Sequence, residues 1–409
     1  MGLQLLRADR VLTGQPGEEI RPGEVLIDGT AIAGVGAQGT HPVGEAVEVR
    51  DFGDATILPG LIDCHVHVGF GRQASSPDAD HRLLLRMVEN CRKLVASGVT
   101  TARDLGCRSF LDVLLRDGIE EGLVVGPHLL VATRPITVTG GHCWFMGGEA
   151  DTPEAIRRVA RENLRAGADC LKVMVTGGAM TPNGPPLWAA QYSEADVRVV
   201  IEEAAARGKH VAAHAPGSAG IRVAADAGVR TIEHCSFRTT NDPGSGGIEP
   251  DVVATMLEHD VSVCPTFAGA FHRFAASLGA KVLDDILGRV AIMHDAGVRI
   301  ITGTDSGFFL RGVPNRADDY VSGLEMLRQA GLSNADVIAS ATAHAAAALG
   351  LSSVTGRLAE GLRSDVIIVA GDPTRNLAAL REPKLVLVSG RRVTQGDIQT
   401  VSDSLANPD

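Results

Sequence analysis

The stretch "LPGLIDCHVHVGF", residues 58–70, ends an apolar run with two histidines, His65 and His67. Because side chains alternate along a β-strand, residues two positions apart point to the same side. The two imidazoles can therefore hold one cation together. An isolated His-x-His also occurs as a satisfied pair in protein cores, so the motif needs support from the rest of the chain.

The composition is typical of a folded α/β enzyme. A length of 409 residues accommodates one large barrel with a small attached domain, and the net charge of −11 argues against nucleic-acid binding, which needs a basic surface. The sequence shows neither a signal-peptide core nor an apolar run near the length of a membrane span. We therefore expect a cytoplasmic protein with no membrane partner. Seven scattered cysteines without a Cys-x-x-Cys pair argue against a disulfide framework.

Short apolar runs alternate with helical patterns through most of the chain, which indicates parallel strands with helical crossovers. The predicted strands are "LIDCHVH", "TTARDLG", "HLLVATRP", "CLKVMVTGG", "HVAAHAPG", "RTIEHC", "VSVCPTF" and "RIITGTD". Eight βα units in this length predict a TIM-like (β/α)8 barrel over residues 59–352. Residues 1–58 and 353–409 have β patterning with tight turns, and we expect them to form one small composite β-sandwich domain.

Polar side chains stand at the ends of several predicted strands. In a barrel of this kind the catalytic groups lie at the carboxyl ends of the strands. The residues found there are His65, His67, Lys172, His214, His234 and Asp305. Each alone has an ordinary structural explanation, but their placement at the same end of five strands indicates a metal site. On the second strand, Arg103 and Asp104 are interpreted as an ion pair that either orients ligands at the mouth or is structural.

The chain resembles the amidohydrolase superfamily, in the branch related to imidazolonepropionases and to metal-dependent, prolidase-like Xaa-Pro dipeptidases. The resemblance spans nearly the whole chain. It depends on "PGLIDCHVH" (59–67), "GGHCW" (140–144), "CLKVMVTGG" (170–178), "VAAHAPG" (211–217), "TGTDSG" (302–307) and the tail "GRLAEGLRSDVIIVAGDP" (356–373). It implies a binuclear metal amidohydrolase that cleaves carbon–nitrogen bonds.

The resemblance also implies the ligands of two divalent ions. His65, His67 and Asp305 would hold the more buried ion, and His214 and His234 the outer one. A carboxylated lysine, formed from Lys172 and CO2, would bridge them. As an ammonium this lysine would be repelled by two cations, whereas a carbamate is an anion. Zinc is the default expectation, with Mn, Co or Ni as alternatives.

A metal-activated hydroxide would be the nucleophile. Asp305 is placed to act as general base and then as general acid toward the leaving amine. His142 of the "GGH" loop is our candidate for the donor that holds the carbonyl oxygen, and its alternative role is that of an ordinary loop histidine.

The expected substrate is a small molecule with an amide bond, either a dipeptide or an N-acyl amino acid. The candidate substrate-binding residues are Tyr192, Phe237, Arg238 and Arg311. Phe237, Trp144, Phe308 and Phe309 suggest a mouth for an apolar or aromatic acyl group, although they could also pack the loops. We expect a homo-oligomer.

Other functions fit parts of the same pattern. An imidazolonepropionase-like cyclic amidase or a mononuclear deaminase would use the same histidines and Asp305 but would not need Lys172. Carbamates, esters and phosphotriesters could be hydrolysed on the same ligand set. A non-catalytic binding protein is the remaining alternative, and the intact ligand set weighs against it.

Overall fold

The computed structural model is an α/β protein that contains two mixed sheets and two parallel sheets, together with helices. It describes residues 2–69, 80–242, 244–277, 279–307, 309–310, 313–314 and 319–393. In this described part of the chain, no helix is both long enough and apolar enough to cross a membrane.

Strands from both ends of the chain build the mixed sheets. They are β1 (Leu3–Ala8), β2 (Arg10–Leu12), β3 (Glu19–Ile20), β4 (Gly23–Asp28), β5 (Ala31–Ala37), β6 (Val47–Asp51), β7 (Ala55–Pro59), β17 (Val366–Ala370), β18 (Leu385–Val388) and β19 (Arg391–Arg392). The strand orders are β5-β4-β1-β6 and β19-β18-β17-β7-β2-β3. Ile57 lies opposite Ile368 in the ladder of β7 with β17, so the two termini share a sheet. Leu6 and Ile27 of the first sheet belong to the same buried apolar cluster as these two residues.

The strands between these segments form the parallel sheets. They are β8 (Leu61–Val66), β9 (Val99–Asp104), β10 (His128–Val131), β11 (Cys170–Met174), β12 (His210–His214), β13 (Thr231–Glu233) and β14 (Ser262–Cys264), and a short pair β15 (Phe309–Leu310) and β16 (Val313–Pro314) follows. One parallel sheet has the order β10-β9-β8 and the other β11-β12-β13-β14. The strands β8 to β14 coincide with the first seven predicted barrel strands.

Helices alternate with the strands of the parallel sheets, and several of them pack directly against a strand. They are α1 (Asp80–Ala96), α2 (Leu111–Glu120), α3 (Pro153–Ala166), α4 (Glu194–Ala205), α5 (Ser218–Ala227), α6 (Pro250–Glu258), α7 (Gly269–Ser277), α8 (Ala280–Asp295), α9 (Tyr320–Gln329), α10 (Asn334–Ser340) and α11 (Ala343–Ala348). Leu171 and Val173 of β11 join the main apolar core with Val197 and Val200 of α4. Lys172, between them, must point to the opposite face.

Backbone contacts connect the two parallel sheets on both flanks. Ile136, beyond β10, bridges Val173 of β11. On the other flank the segment 300–306 bridges β14 through Ile300 and β8 through Ser306. The predicted eighth strand, "RIITGTD" (299–305), overlaps this segment, but the described residues form isolated bridges and no regular ladder. Its backbone departs from strand geometry at Asp305, which has φ 54°.

Candidate metal centre

Three ligand atoms converge at the carboxyl end of β8. The Nε2 atoms of His65 and His67 lie 3.3 Å apart. Asp305 Oδ1 lies 3.3 Å from the first of these nitrogens and 3.2 Å from the second. Ligand atoms at about 2.0–2.1 Å from a tetrahedral metal ion are about 3.3–3.4 Å apart, so these three atoms fit one ion.

The other ring nitrogens determine which atoms can bind a cation. His65 Nδ1 lies 2.8 Å from Glu233 Oε2, and His67 Nδ1 lies 3.4 Å from the Gly106 carbonyl oxygen. Both partners are acceptors, so each Nδ1 carries the proton and each Nε2 is an acceptor. Two imidazole acceptors and the Asp305 carboxylate therefore face one another. This set of two acceptor nitrogens and one carboxylate fits a cation bound between them.

Two of the proposed ligands have an uncommon backbone conformation. His234 has φ 69° and Asp305 has φ 54°, both in the left-handed region that non-glycine residues seldom adopt. Backbone hydrogen bonds hold them there, from His234 N to the Cys264 carbonyl and from Asp305 N to the His65 carbonyl. Residues held in this way concentrate at functional sites.

A second group of imidazoles adjoins the first. The His214 ring centroid lies 4.6 Å from that of His234, which in turn is 5.5 Å from that of His65. His234 Nδ1 lies 2.7 Å from Thr266 Oγ1, whose own proton goes to the Pro265 carbonyl, so His234 Nε2 is an acceptor. His214 Nε2 donates to the Gly177 carbonyl at 3.1 Å, which leaves its Nδ1 as the acceptor. Both rings thus offer one lone pair.

Lys172 is buried at the same end of the structure, on β11. Its Nζ has no hydrogen-bond partner within the described residues. Burial lowers the pKa of the amine, Glu233 opposes this change, and Arg103 adds to it. A buried amine with a lowered pKa is less protonated than a lysine in water and therefore more nucleophilic.

The buried imidazoles are held in the neutral form that binds metals. Burial lowers the pKa of His65 to about 3 and that of His234 to about 4. Burial alone would raise the pKa of Asp305, but the nearby His65, His67 and His234 bring it down to about 2. At neutral pH His65 and His234 are therefore neutral and Asp305 is ionised.

His142 lies against this second group. Its ring centroid is 4.5 Å from that of His214, and its Nδ1 is 3.0 Å from Thr181 Oγ1. Burial lowers its pKa to about 3. The backbone of Gly178 lies directly beside this ring, because a Cβ built there would be 2.2 Å from Nε2 and Cε1. The predicted carbonyl-facing histidine is thus brought to the predicted ligands.

Glu233 connects the site to the interior of the structure and was not among the predicted residues. It is fully buried, accepts from His65, and pairs with Arg103 at 2.9 Å. The predicted pairing of Arg103 with Asp104 is wrong. Neighbours on a strand point to opposite faces, and Asp104 accepts instead from the backbone of Val68 and Gly106. The sequence signal for Glu233 was an acidic residue inside the apolar run "RTIEHC".

The predicted substrate-binding residues are placed as follows. Tyr192 is buried and its hydroxyl donates to the Ala150 carbonyl at 2.6 Å, while Phe237 is fully buried in the main core. These contacts favour packing roles. Arg238 donates to the Asn241 carbonyl, and Trp144 is 45% exposed. Arg311, Phe308 and the side chain of Phe309 lie outside the described residues. Substrate contact by this set stays a prediction.

The sequence and the structure are similar to those of several known proteins. The profile of the Amidohydrolase family matches residues 56–393. Ochratoxinase from Aspergillus niger is 28% identical over 417 aligned residues, which cover 90% of this chain and 82% of the relative. The imidazolonepropionase of Rubrobacter xylanophilus is 25% identical and covers 88% of each chain. A solved Xaa-Pro dipeptidase, with methionine bound in its active site, has a TM-score of 0.82, 26% identity, and coverage of 96% of this chain and 99% of its own.

Proposed function

Because this chain belongs to the amidohydrolase family, we propose that it is a metal-dependent hydrolase of amide bonds in dipeptides or N-acyl amino acids. The family and its ochratoxinase, imidazolonepropionase and Xaa-Pro dipeptidase relatives support amide-bond hydrolysis. The observation that carries the metal dependence is the convergence of His65 Nε2, His67 Nε2 and Asp305 Oδ1 within 3.3 Å of one another.

The ligand set fits two divalent ions. His65, His67 and Asp305 would hold the first, and His214 and His234 would hold the second through the lone pairs described above. The ligand atoms of His65, His234 and Asp305 all lie within 4.8 Å of one another, which supports adjoining ions. Imidazole nitrogen suits zinc, manganese, cobalt and nickel, and we propose zinc.

Lys172 would bridge the two ions after carboxylation. Its buried Nζ has no hydrogen-bond partner among the residues described. As a neutral amine it can form an N–C bond to CO2 with loss of one proton, and the product is a carbamate anion with two oxygens. As a carbamate, the buried Lys172 side chain would have the two cations as partners. Its negative charge would also reduce the repulsion between them.

The protein side chains divide the catalytic work. When bound, the metal ions would supply a low pKa for water and polarisation of the substrate carbonyl. Asp305, ionised at neutral pH, would accept the proton of the attacking water and pass it to the leaving amine. Thr181 can donate to His142 Nδ1, which leaves the proton on Nε2 for the carbonyl oxygen.

We also propose that the parallel sheets close into a (β/α)8 barrel over residues 59–352. The bridges of Ile136 to Val173, Val263 to Ile300 and Val66 to Ser306 support this closure. Residues 1–58 and 353–409 would form the composite β-sandwich domain, and the shared cluster of the two mixed sheets supports that division. A cytoplasmic homo-oligomer completes the proposal.

The experiment is a hydrolysis screen with the zinc-reconstituted protein. Dipeptides, N-acyl amino acids, lactams, carbamates, esters and phosphotriesters are each incubated, and the products are identified by mass spectrometry. We expect a free amino acid from at least one amide and zinc-dependent rates. Release of ammonia, with one ion per chain, would favour a mononuclear deaminase instead. Ring opening of cyclic amides alone would favour an imidazolonepropionase-like enzyme, and no turnover on any class would contradict hydrolysis.

A further inference from the structure

A small sulfur-rich cluster lies beside the candidate metal centre and is separate from the main core. We call it the thioether wall. Its members are the buried Cys143, Met146 and Met174 and the partly buried Phe145 and Met180. Three of the chain's eight methionines are therefore gathered in one group of five residues. None of these five residues has a role in the proposed hydrolysis.

Met174 faces the same interior as the bridging lysine. Along β11, Leu171 and Val173 belong to the main core beneath the helices. Lys172 and Met174 must therefore point to the opposite side. Because Met174 is the last residue of the strand, its side chain lies on the mouth side of Lys172. The wall thus begins directly next to the proposed bridge between the ions.

The loop after β10 supplies Cys143, Phe145 and Met146, the loop after β11 supplies Met180, and the first of these loops reaches two site histidines. A Cβ on Gly106 would lie 3.1 Å from Met146 Sδ and 3.3 Å from His67 Cε1, so both side chains approach the same backbone point. Cys143 Sγ lies 3.5 Å from His142 Nε2. The wall is therefore in contact with the proposed carbonyl-binding residue and close to a ligand of the first ion.

The chemistry of the wall is apolar and adaptable. Its five side chains are apolar, and burial raises the pKa of the Cys143 thiol to about 12, so the thiol stays neutral. Methionine is flexible and polarisable, adapts to ligands of different shape, and makes favourable contacts between sulfur and aromatic rings. Phe145 and Met180 are only partly buried, so part of each side chain is accessible from outside the cluster.

We propose that the thioether wall binds an apolar or aromatic side chain carried on the acyl side of the scissile bond. The inference rests on the proposed amide hydrolysis and names its substrate class. The assignment to the acyl side follows from the loop after β10. This loop carries His142, which would hold the carbonyl oxygen, and it also carries Cys143, Phe145 and Met146 of the wall. Large unbranched and aromatic acyl groups would both fit, and charged ones would be rejected because the wall offers them no partner.

The test compares amides that share one leaving amino acid and differ in the acyl group. The series runs from acetyl through butanoyl and hexanoyl to phenylacetyl, with succinyl as the charged member. In the zinc-loaded wild type we expect kcat/KM to rise by at least about 10-fold from acetyl to hexanoyl and phenylacetyl, and succinyl to be the poorest substrate. The variants Met174→Gln and Met180→Gln should each reduce the ratio of hexanoyl to acetyl by about 10-fold.

Conservative replacement provides the matched control. Met174→Leu keeps an apolar side chain of similar size and should restore the ratio to within about 3-fold of the wild type. Met180→Gln changes a partly buried residue, so it tests the wall even where Met174→Gln lowers the melting temperature. Hydrolysis of every acyl group at one rate, or ratios unchanged in both glutamine variants, would overturn the wall and leave the proposed function intact. Absence of all hydrolysis would overturn both.

Discussion

Replacement of Gly178 by alanine should disable the site by displacing His142. The added Cβ would lie 2.2 Å from Nε2 and Cε1 of the imidazole and 2.3 Å from Nδ1. To restore a contact of 3.4 Å the ring must move by about 1.2 Å. The backbone of Gly178 is outside the left-handed region, so alanine is compatible with its conformation and the steric contact is the main perturbation.

A displacement of this size is large for a group that must meet a carbonyl oxygen. A misplacement of about 1 Å can reduce turnover by about 100-fold, which corresponds to about 2.7 kcal/mol of transition-state stabilisation. The ring of His214, with its centroid 4.5 Å away, limits where the imidazole can go. We therefore expect Gly178→Ala to lower kcat by about 100-fold while zinc content and melting temperature change little.

The assay is steady-state hydrolysis of the best amide from the screen, with zinc content and thermal denaturation measured on the same samples. Gly288→Ala is the matched control, since a Cβ at Gly288 of α8 meets no atom within 4 Å. In a His142→Ala background the second change, Gly178→Ala, should cost less than about 3-fold. A full 100-fold loss in that background, or near-normal kcat in the single variant, would refute the role assigned to His142.

Lys172→Ala should lose most zinc and activity because the bridging anion is gone, and a short carboxylic acid should restore part of the rate; unchanged zinc content and rate would rule out the bridge. Asp305→Asn should retain the fold but slow kcat by about 100-fold or more, since the proton acceptor is lost; a near-normal rate would remove Asp305 from the mechanism. Glu233→Gln should weaken zinc binding by about 10- to 100-fold in a chelator competition, because His65 loses its charged partner; an unchanged affinity would show that Glu233 does not position this ligand.

Local periodicity was enough to select most of the side chains that meet in the candidate site. Strand alternation predicted that His65 and His67 share one side, and their Nε2 atoms lie 3.3 Å apart. The rule that catalytic groups occupy the carboxyl ends of parallel strands then selected His214, His234 and Asp305 from distant parts of the chain. Each of these predictions depends only on the position of one residue in its own strand, and the structure brings the side chains together; their role as metal ligands stays a prediction.

Predictions that depended on contacts between residues from different strands were less successful. The predicted pairing of Arg103 with Asp104 was wrong because neighbouring residues on a strand point to opposite faces. Glu233 was not predicted as a site residue because its partner His65 is 168 positions away in the sequence. The eighth strand is irregular near Asp305, whose backbone conformation cannot be read from an apolar run. Phe237 is fully buried in the core, which favours a packing role, and its expected contact with the ligand stays a prediction.

The most direct measurement of the central claim is anomalous X-ray diffraction at the zinc edge from crystals of the reconstituted protein. We expect two peaks per chain, one among His65, His67 and Asp305 and one beside His214 and His234, with density for a carboxylated Lys172 between them. A single peak, or two peaks with an unmodified lysine, would contradict the binuclear centre on which the proposed chemistry depends.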